Sequence, residues 1–119
     1  MNIVRKLSFR KDIKRHIIES HTDLCSIIEV YDIDKAILFN NYCIEQKYNL
    51  AFHIYATYSK GMELEADPIL FRIIRLYCKD EYQLYNNICN ANIFDEEQYE
   101  SVCNIIHTKI HNIIDSIYK

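Results

Sequence analysis

Apolar residues along this chain recur every three or four positions, with Asp, Ser and Thr standing where helix caps are wanted. That spacing is the period of a helix surface, not the alternation of a half-buried strand. Ser8 can cap a first helix through about His21, with Phe9, Ile13, Ile17 and Ile18 along one stripe. Thr22 or Asp23 then opens a short helix carrying Leu24, Ile27 and Ile28. Asp32 or Asp34 opens a third with Ile37, Leu38, Tyr42 and Cys43, and a fourth runs from about Lys47 to Lys60 with Leu50, Phe52, Ile54, Tyr55 and Tyr58. Gly61 follows where a left-handed C-cap is expected.

Asp67-Pro68 places an N-cap directly before a proline at the first helical position, opening a helix with Ile69, Leu70, Ile73, Ile74, Leu76 and Tyr77. Residues 80–92 are polar and Asn-rich and are expected to form a loop with at most a turn of helix. Asp95-Glu96-Glu97-Gln98 reads as a cap, an acidic first turn and a capping-box glutamine. Behind it Tyr99, Val102, Ile106, Ile110, Ile113 and Ile117 form the strongest periodic run in the chain. The pattern predicts one all-α domain over residues 1–119, a compact bundle of six to nine helices. Its expected core includes Phe39, Phe52, Ile73, Phe94, Ile106 and Ile113.

Composition changes this picture little. A chain of 119 residues suits one domain, and one Gly and one Pro leave little turn material for a many-stranded fold. Ile, Asn, Lys and Tyr are abundant, which reads as an A/T-rich coding bias because the spacing is helical. The net charge is −3 and no basic run exists, which argues against a nucleic-acid partner. The cysteines Cys25, Cys43, Cys78, Cys89 and Cys103 are odd in number and form no C-x-x-C pair, so the reducing cytosol is the expected compartment. No apolar run reaches the roughly 20 residues of a membrane span. Arg5, Lys6, Arg10, Lys11, Lys14 and Arg15 make the N-terminal segment basic, which suits peripheral contact at an anionic inner membrane surface or, more simply, a solvated helix face.

Candidate chemistry is sparse. Cys103, His107 and His111 lie four residues apart and could share a helix face, as ligands of a helical zinc site do. No fourth ligand accompanies them, so a packed cysteine with exposed or hydrogen-bonded histidines is the simpler reading, and no metal or cofactor is expected. No phosphate loop, G-x-S-x-G or catalytic triad pattern occurs, so the chain is not expected to be an enzyme in its own right.

Three stretches carry a family resemblance. Ile93-Phe94-Asp95-Glu96-Glu97-Gln98, continued through Ile105, Ile106, Ile110, Ile113, Ile114 and Ser116, resembles the signature that opens the penultimate helices of RGS (regulator of G-protein signalling) domains. Ile69, Ile73, Ile74, Leu76 and Cys78, with Glu81 and Leu84 beyond them, are similar to that family's middle helix and following loop. Phe39, Tyr42, Asn49 and Phe52 keep its aromatic and Asn-to-Phe spacing, with His53 in place of the usual tryptophan and Tyr48 in place of an acidic residue. The resemblance runs from about Asp23 to the end.

RGS domains accelerate GTP hydrolysis on Gα subunits by holding the switch segments in transition-state geometry. By resemblance, the Gα-contacting positions are Asn49, Gln83 in place of the loop asparagine, and Asn104, Thr108 and Asn112 in place of an apolar, an acidic and a basic residue. The implied function is a Gα-binding regulator with weakened acceleration. The alternative is an RGS-homology scaffold module that binds another signalling protein, as part of a longer chain continuing beyond Tyr118-Lys119. The plain reading of the Asn104-Thr108-Asn112 face is a solvated helix surface.

Overall fold

Asn2 begins the first helix: its side chain accepts a hydrogen bond from the Arg5 backbone N–H at 2.8 Å, and α1 spans Ile3–Glu19. In a computed structural model describing residues 1–119, seven α-helices and one 3₁₀ turn follow one another without a strand. They are α1, α2 (His21–Tyr31), α3 (Ile33–Ile44), α4 (Tyr48–Tyr58), the 3₁₀ turn Ser59–Gly61, α5 (Pro68–Tyr77), α6 (Lys79–Cys89) and α7 (Glu96–Ile117). The expected all-α bundle is therefore the architecture of this chain. α1 starts well before Ser8, which is an exposed position inside the helix. α2 has no side-chain cap from Thr22 or Asp23; it starts where α1 stops, at Ser20.

Three caps are as the sequence predicts. Asp32 accepts from Lys35 N, Asp95 from Gln98 N, and Asp67 from both Ile69 N and Leu70 N. The C-cap expected at Gly61 is not left-handed, because no glycine has positive φ. A Cβ at Gly61 would stand 2.5 Å from the hydroxyl of Tyr31, the far end of an exposed side chain that can swing aside. The left-handed residue is Gln46, with φ of 59°. It closes α3 in a Schellman motif, where Lys47 N donates to Tyr42 O at 2.8 Å and Gln46 N to Cys43 O at 3.1 Å.

α4 and α7 form the centre. α4 packs on α1, α2, α3 and α7, while α7 packs on α1, α4, α5 and α6. The body is flat, 47 × 36 × 19 Å, about two helix diameters thick. Phe9, Phe39, Phe52, Tyr55, Ile73 and Ile106 are fully buried, each side chain contributing about 1.5–3 kcal/mol by leaving water.

Several stripe residues lie off the core. Ile18, Ile37, Leu50 and Leu76 are exposed, and Ile113 is half-buried because Ile110 and Ile114, one turn apart, take the inward line. Phe94 is 53% exposed. It stands just before the cap and lays its ring against Tyr99, centroids 5.2 Å apart. Those are the N′ and N4 positions of a hydrophobic staple, so Phe94 fixes the entry into α7 without entering the core.

The expected loop over 80–92 is mostly helix α6. Only Tyr85 and Ile88 on it are buried, which explains why its polar sequence shows no broad stripe. Packing on α7 holds it: Lys109 pairs with Glu81, and the Tyr85 and Tyr99 rings meet at 5.6 Å.

Candidate functional site

α7 is one unbroken helix of 22 residues, where the RGS resemblance implies more than one helix. It presents two flanks, one toward α4 and one toward α6. The positions named by resemblance divide between them and beyond.

Asn49 is half-buried in the first turn of α4. Gln83 is exposed in the second turn of α6, not in a loop, and its amide donates to Asn87 Oδ1 of the same helix at 3.2 Å. Asn104, Thr108 and Asn112 are all exposed on α7. Asn104 accepts a hydrogen bond from the Lys60 ammonium, and the Thr108 hydroxyl donates to Asn104 O at 3.0 Å. Asn104 and Thr108 thus belong to the α4 flank, while Gln83 belongs to the α6 side. The structure brings the first two together and leaves Gln83 apart from them.

The α6 side carries an apolar seam. Leu84, Ile88, Ala91 and Ile93 line its first part, and Leu84, Val102 and Ile105 continue it along α7, with Gln98 in both parts. Leu84, Ile93, Phe94 and Ile105 are each about half exposed or more.

The α4 flank is wholly polar. Thr57, Lys60, Asn104, His107, Thr108 and His111 line a groove there with no apolar side chain among them. Below it, His53 of α4 meets His111 of α7, Nδ1 to Nδ1 at 2.8 Å, and reaches Asp115 Oδ1 through Nε2 at 2.8 Å. Burial lowers the His111 pKa, as does the neighbouring His53, against an opposing pull from Asp115. His107 is buried with no partner for Nδ1, and burial, with Lys60 and His111, pushes its pKa down to about 4. It is neither exposed nor hydrogen-bonded through Nδ1, which corrects the simpler reading of the histidines. Cys103 is buried as that reading expects. No group of three His, Cys, Asp or Glu side chains is arranged to hold a metal ion.

His53, Thr57 and Lys60 carry no signal of their own in the sequence; only the RGS resemblance singles out His53, at a position where it implies a tryptophan. The discernible hint is His111 with Asp115, an i, i+4 pair on one helix face.

The basic residues of α1 lie beside the exposed Ile3, Val4, Leu7 and Ile18. No helix is long and apolar enough to cross a membrane.

No protein-family model, curated protein or solved structure matches the chain.

Proposed function

We propose that this chain is a protein-interaction module of the RGS-homology type, docking a signalling protein on the α6–α7 seam. The exposed Leu84, Ile93 and Ile105, which line this seam, carry this reading, because contiguous apolar surface on a folded domain marks an interaction site. A Gα subunit is the partner that the resemblance names, and Gln83 lies on α6 next to Leu84, where it would flank such a contact.

Acceleration of GTP hydrolysis is a second reading, favoured by Asn49 in the first turn of α4. It needs Gln83 and the α7 positions to reach one set of switch segments together. The separation of Gln83 from Asn104 and Thr108 argues for binding over strong acceleration.

The test is a pulldown of Gα subunits loaded with GDP alone or with GDP and aluminium fluoride. Leu84→Glu and Ile105→Glu variants are compared with the natural chain. Binding in either state that both variants abolish, with helicity retained, is the expected result. Binding that both variants leave intact would move the contact away from the seam. Retention of no Gα in either state would remove Gα as the partner.

A further inference from the structure

The His53 and His111 rings lie within 8° of parallel with centroids 5.1 Å apart. With the two Nδ1 atoms at 2.8 Å, this is an edge-to-edge arrangement in one plane. Stacked rings would instead overlap face to face. The arrangement is that of an in-plane N–H···N hydrogen bond, and one proton lies between the rings.

The Asp115 carboxylate only accepts, so His53 Nε2 holds a proton and donates it at 2.8 Å. When His53 is neutral that is its only proton. The shared one then belongs to His111 Nδ1, and His111 Nε2 is bare. When the pair takes up one more proton, His53 becomes an imidazolium that donates from both nitrogens. His111 then carries its own proton on Nε2. One proton added to the pair thus converts His111 Nε2 from an acceptor into a donor. That atom lies 3.4 Å from Thr57 Oγ1, and both residues line the polar groove.

We propose that this α4–α7 groove binds a tetrahedral oxyanion of the sulfate or phosphate kind, and that it does so when the His53–His111 pair carries its extra proton. The groove holds one fixed cation, Lys60, and no carboxylate among its lining side chains. Lys60 shares one ammonium proton with Asn104 Oδ1, which leaves its other protons and the Asn104 amide N–H groups as donors. The Thr57 and Thr108 hydroxyls donate to His53 O and Asn104 O, both at 3.0 Å, and so offer no further donor. His107, buried and without a partner at Nδ1, closes the floor.

Charged and titratable groups approach His111 and its neighbours from several elements. α4 contributes His53, and the turn after it Lys60. α7 itself contributes His107 and Asp115. α1 packs on both helices; its Arg10 donates to Ile117 O and its Lys14 lies over the Tyr48 ring. α5 and α6 also pack on α7: Asp67, the cap of α5, lines a second pocket with His107 and Glu63, and Glu81 of α6 pairs with Lys109 of α7.

Sulfate is the probe, because it remains a dianion from about pH 5 to pH 8 and any pH dependence then belongs to the protein. Imidazole nitrogen shifts of His53 and His111 should move saturably with sulfate, with a Kd on the order of 1 mM at about pH 5. Binding should weaken by about tenfold or more at pH 8, as the groove loses a donor. Lys60→Gln and His111→Phe should each weaken it by a similar factor. Asn104→Asp, an exposed change that adds a carboxylate without threatening the core, should abolish it. Inorganic phosphate and phosphoserine, compared at one pH, separate a free anion from an ester carried on another molecule, and saturable binding of either supports the site. Shifts that sodium chloride reproduces at equal ionic strength would overturn the proposal. So would affinity unchanged between the two pH values, or unchanged in folded Asn104→Asp.

Discussion

His16 Nε2 lies 2.6 Å from Asp67 Oδ2, joining the first helix to the cap of the fifth. The same carboxylate oxygen accepts from the Tyr55 hydroxyl at 2.7 Å, and the other accepts from Ile69 N and Leu70 N. One buried side chain therefore ties α1, α4 and α5. Asp67→Ala removes a cap and leaves Tyr55 and His16 without their acceptor. It should cost about 3 kcal/mol or more by urea denaturation. A cost below about 1 kcal/mol would show the knot to be incidental. Burial alone would raise the Asp67 carboxyl, but hydrogen bonds from His16, Leu70 N–H and Tyr55 outweigh it and hold the pKa below the ordinary 3.8. The unfolded chain thus takes up this proton first as the pH falls. Asp67's contribution is full above about pH 4 and is lost as the pH drops through the folded value.

His107 acts in a neighbouring window. Its folded pKa of about 4 lies below the ordinary 6.5, so between those values the unfolded state binds a proton that the folded state does not. Stability is lost as the pH falls through that interval and levels off below it. His107→Leu should remove this dependence, and its gain in Tm over the natural chain should be larger at pH 5 than at pH 7.5. An equal Tm difference at both values would contradict the burial argument.

Phe94 and Phe52 make a matched pair. Phe52→Ala, fully buried, should cost about 3–5 kcal/mol. Phe94→Ala, losing only a staple against Tyr99, should cost about 1 kcal/mol or less. Denaturant midpoints of the two variants check this, and equal losses would mean that Phe94 is packed more deeply.

Gln46 holds the left-handed position of the α3 Schellman motif, which glycine adopts without strain. Gln46→Gly should leave stability unchanged or raise it, by up to about 1 kcal/mol. A clear loss in thermal melting would argue that Gln46 has some other role at this junction.

Single-turnover GTP hydrolysis by a conventional Gα subunit should show weak acceleration or none. Each 1.4 kcal/mol of missing contact is about tenfold in rate, and Asn104, Thr108 and Asn112 stand where the RGS resemblance implies an apolar, an acidic and a basic residue. Asn104→Leu, Thr108→Asp and Asn112→Arg together with Gln83→Asn should raise the rate if these positions meet Gα. A folded quadruple variant with no gain counts against that mapping, and robust acceleration by the natural chain counts against the weak-contact argument.

The helical class, three of the caps and most of the α7 stripe are legible in the sequence, because each rests on residues within one turn of one another. α6 is not legible, since it buries only Tyr85 and Ile88 and owes its helicity to α7. Phe94 misleads because its motif serves a purely local purpose at a helix entrance. The His53–His111 contact spans 58 residues, and no local spacing could announce it. Asn104 and Thr108 are legible as a shared face, but Lys60, which turns that face toward α4, comes from a different element.

The last long helix completes what four others begin. Val102, Ile106, Ile110, Ile114 and Ile117 fill the core on which α1, α4, α5 and α6 close. Until residues through Ile117 have left the ribosome, those earlier helices hold an open apolar face toward water. A chain cut before Glu96 should accordingly bind a hydrophobic dye and melt without a cooperative transition. During synthesis that open face lasts until α7 has emerged and folded onto it, an interval of exposed apolar surface and the aggregation risk that comes with it.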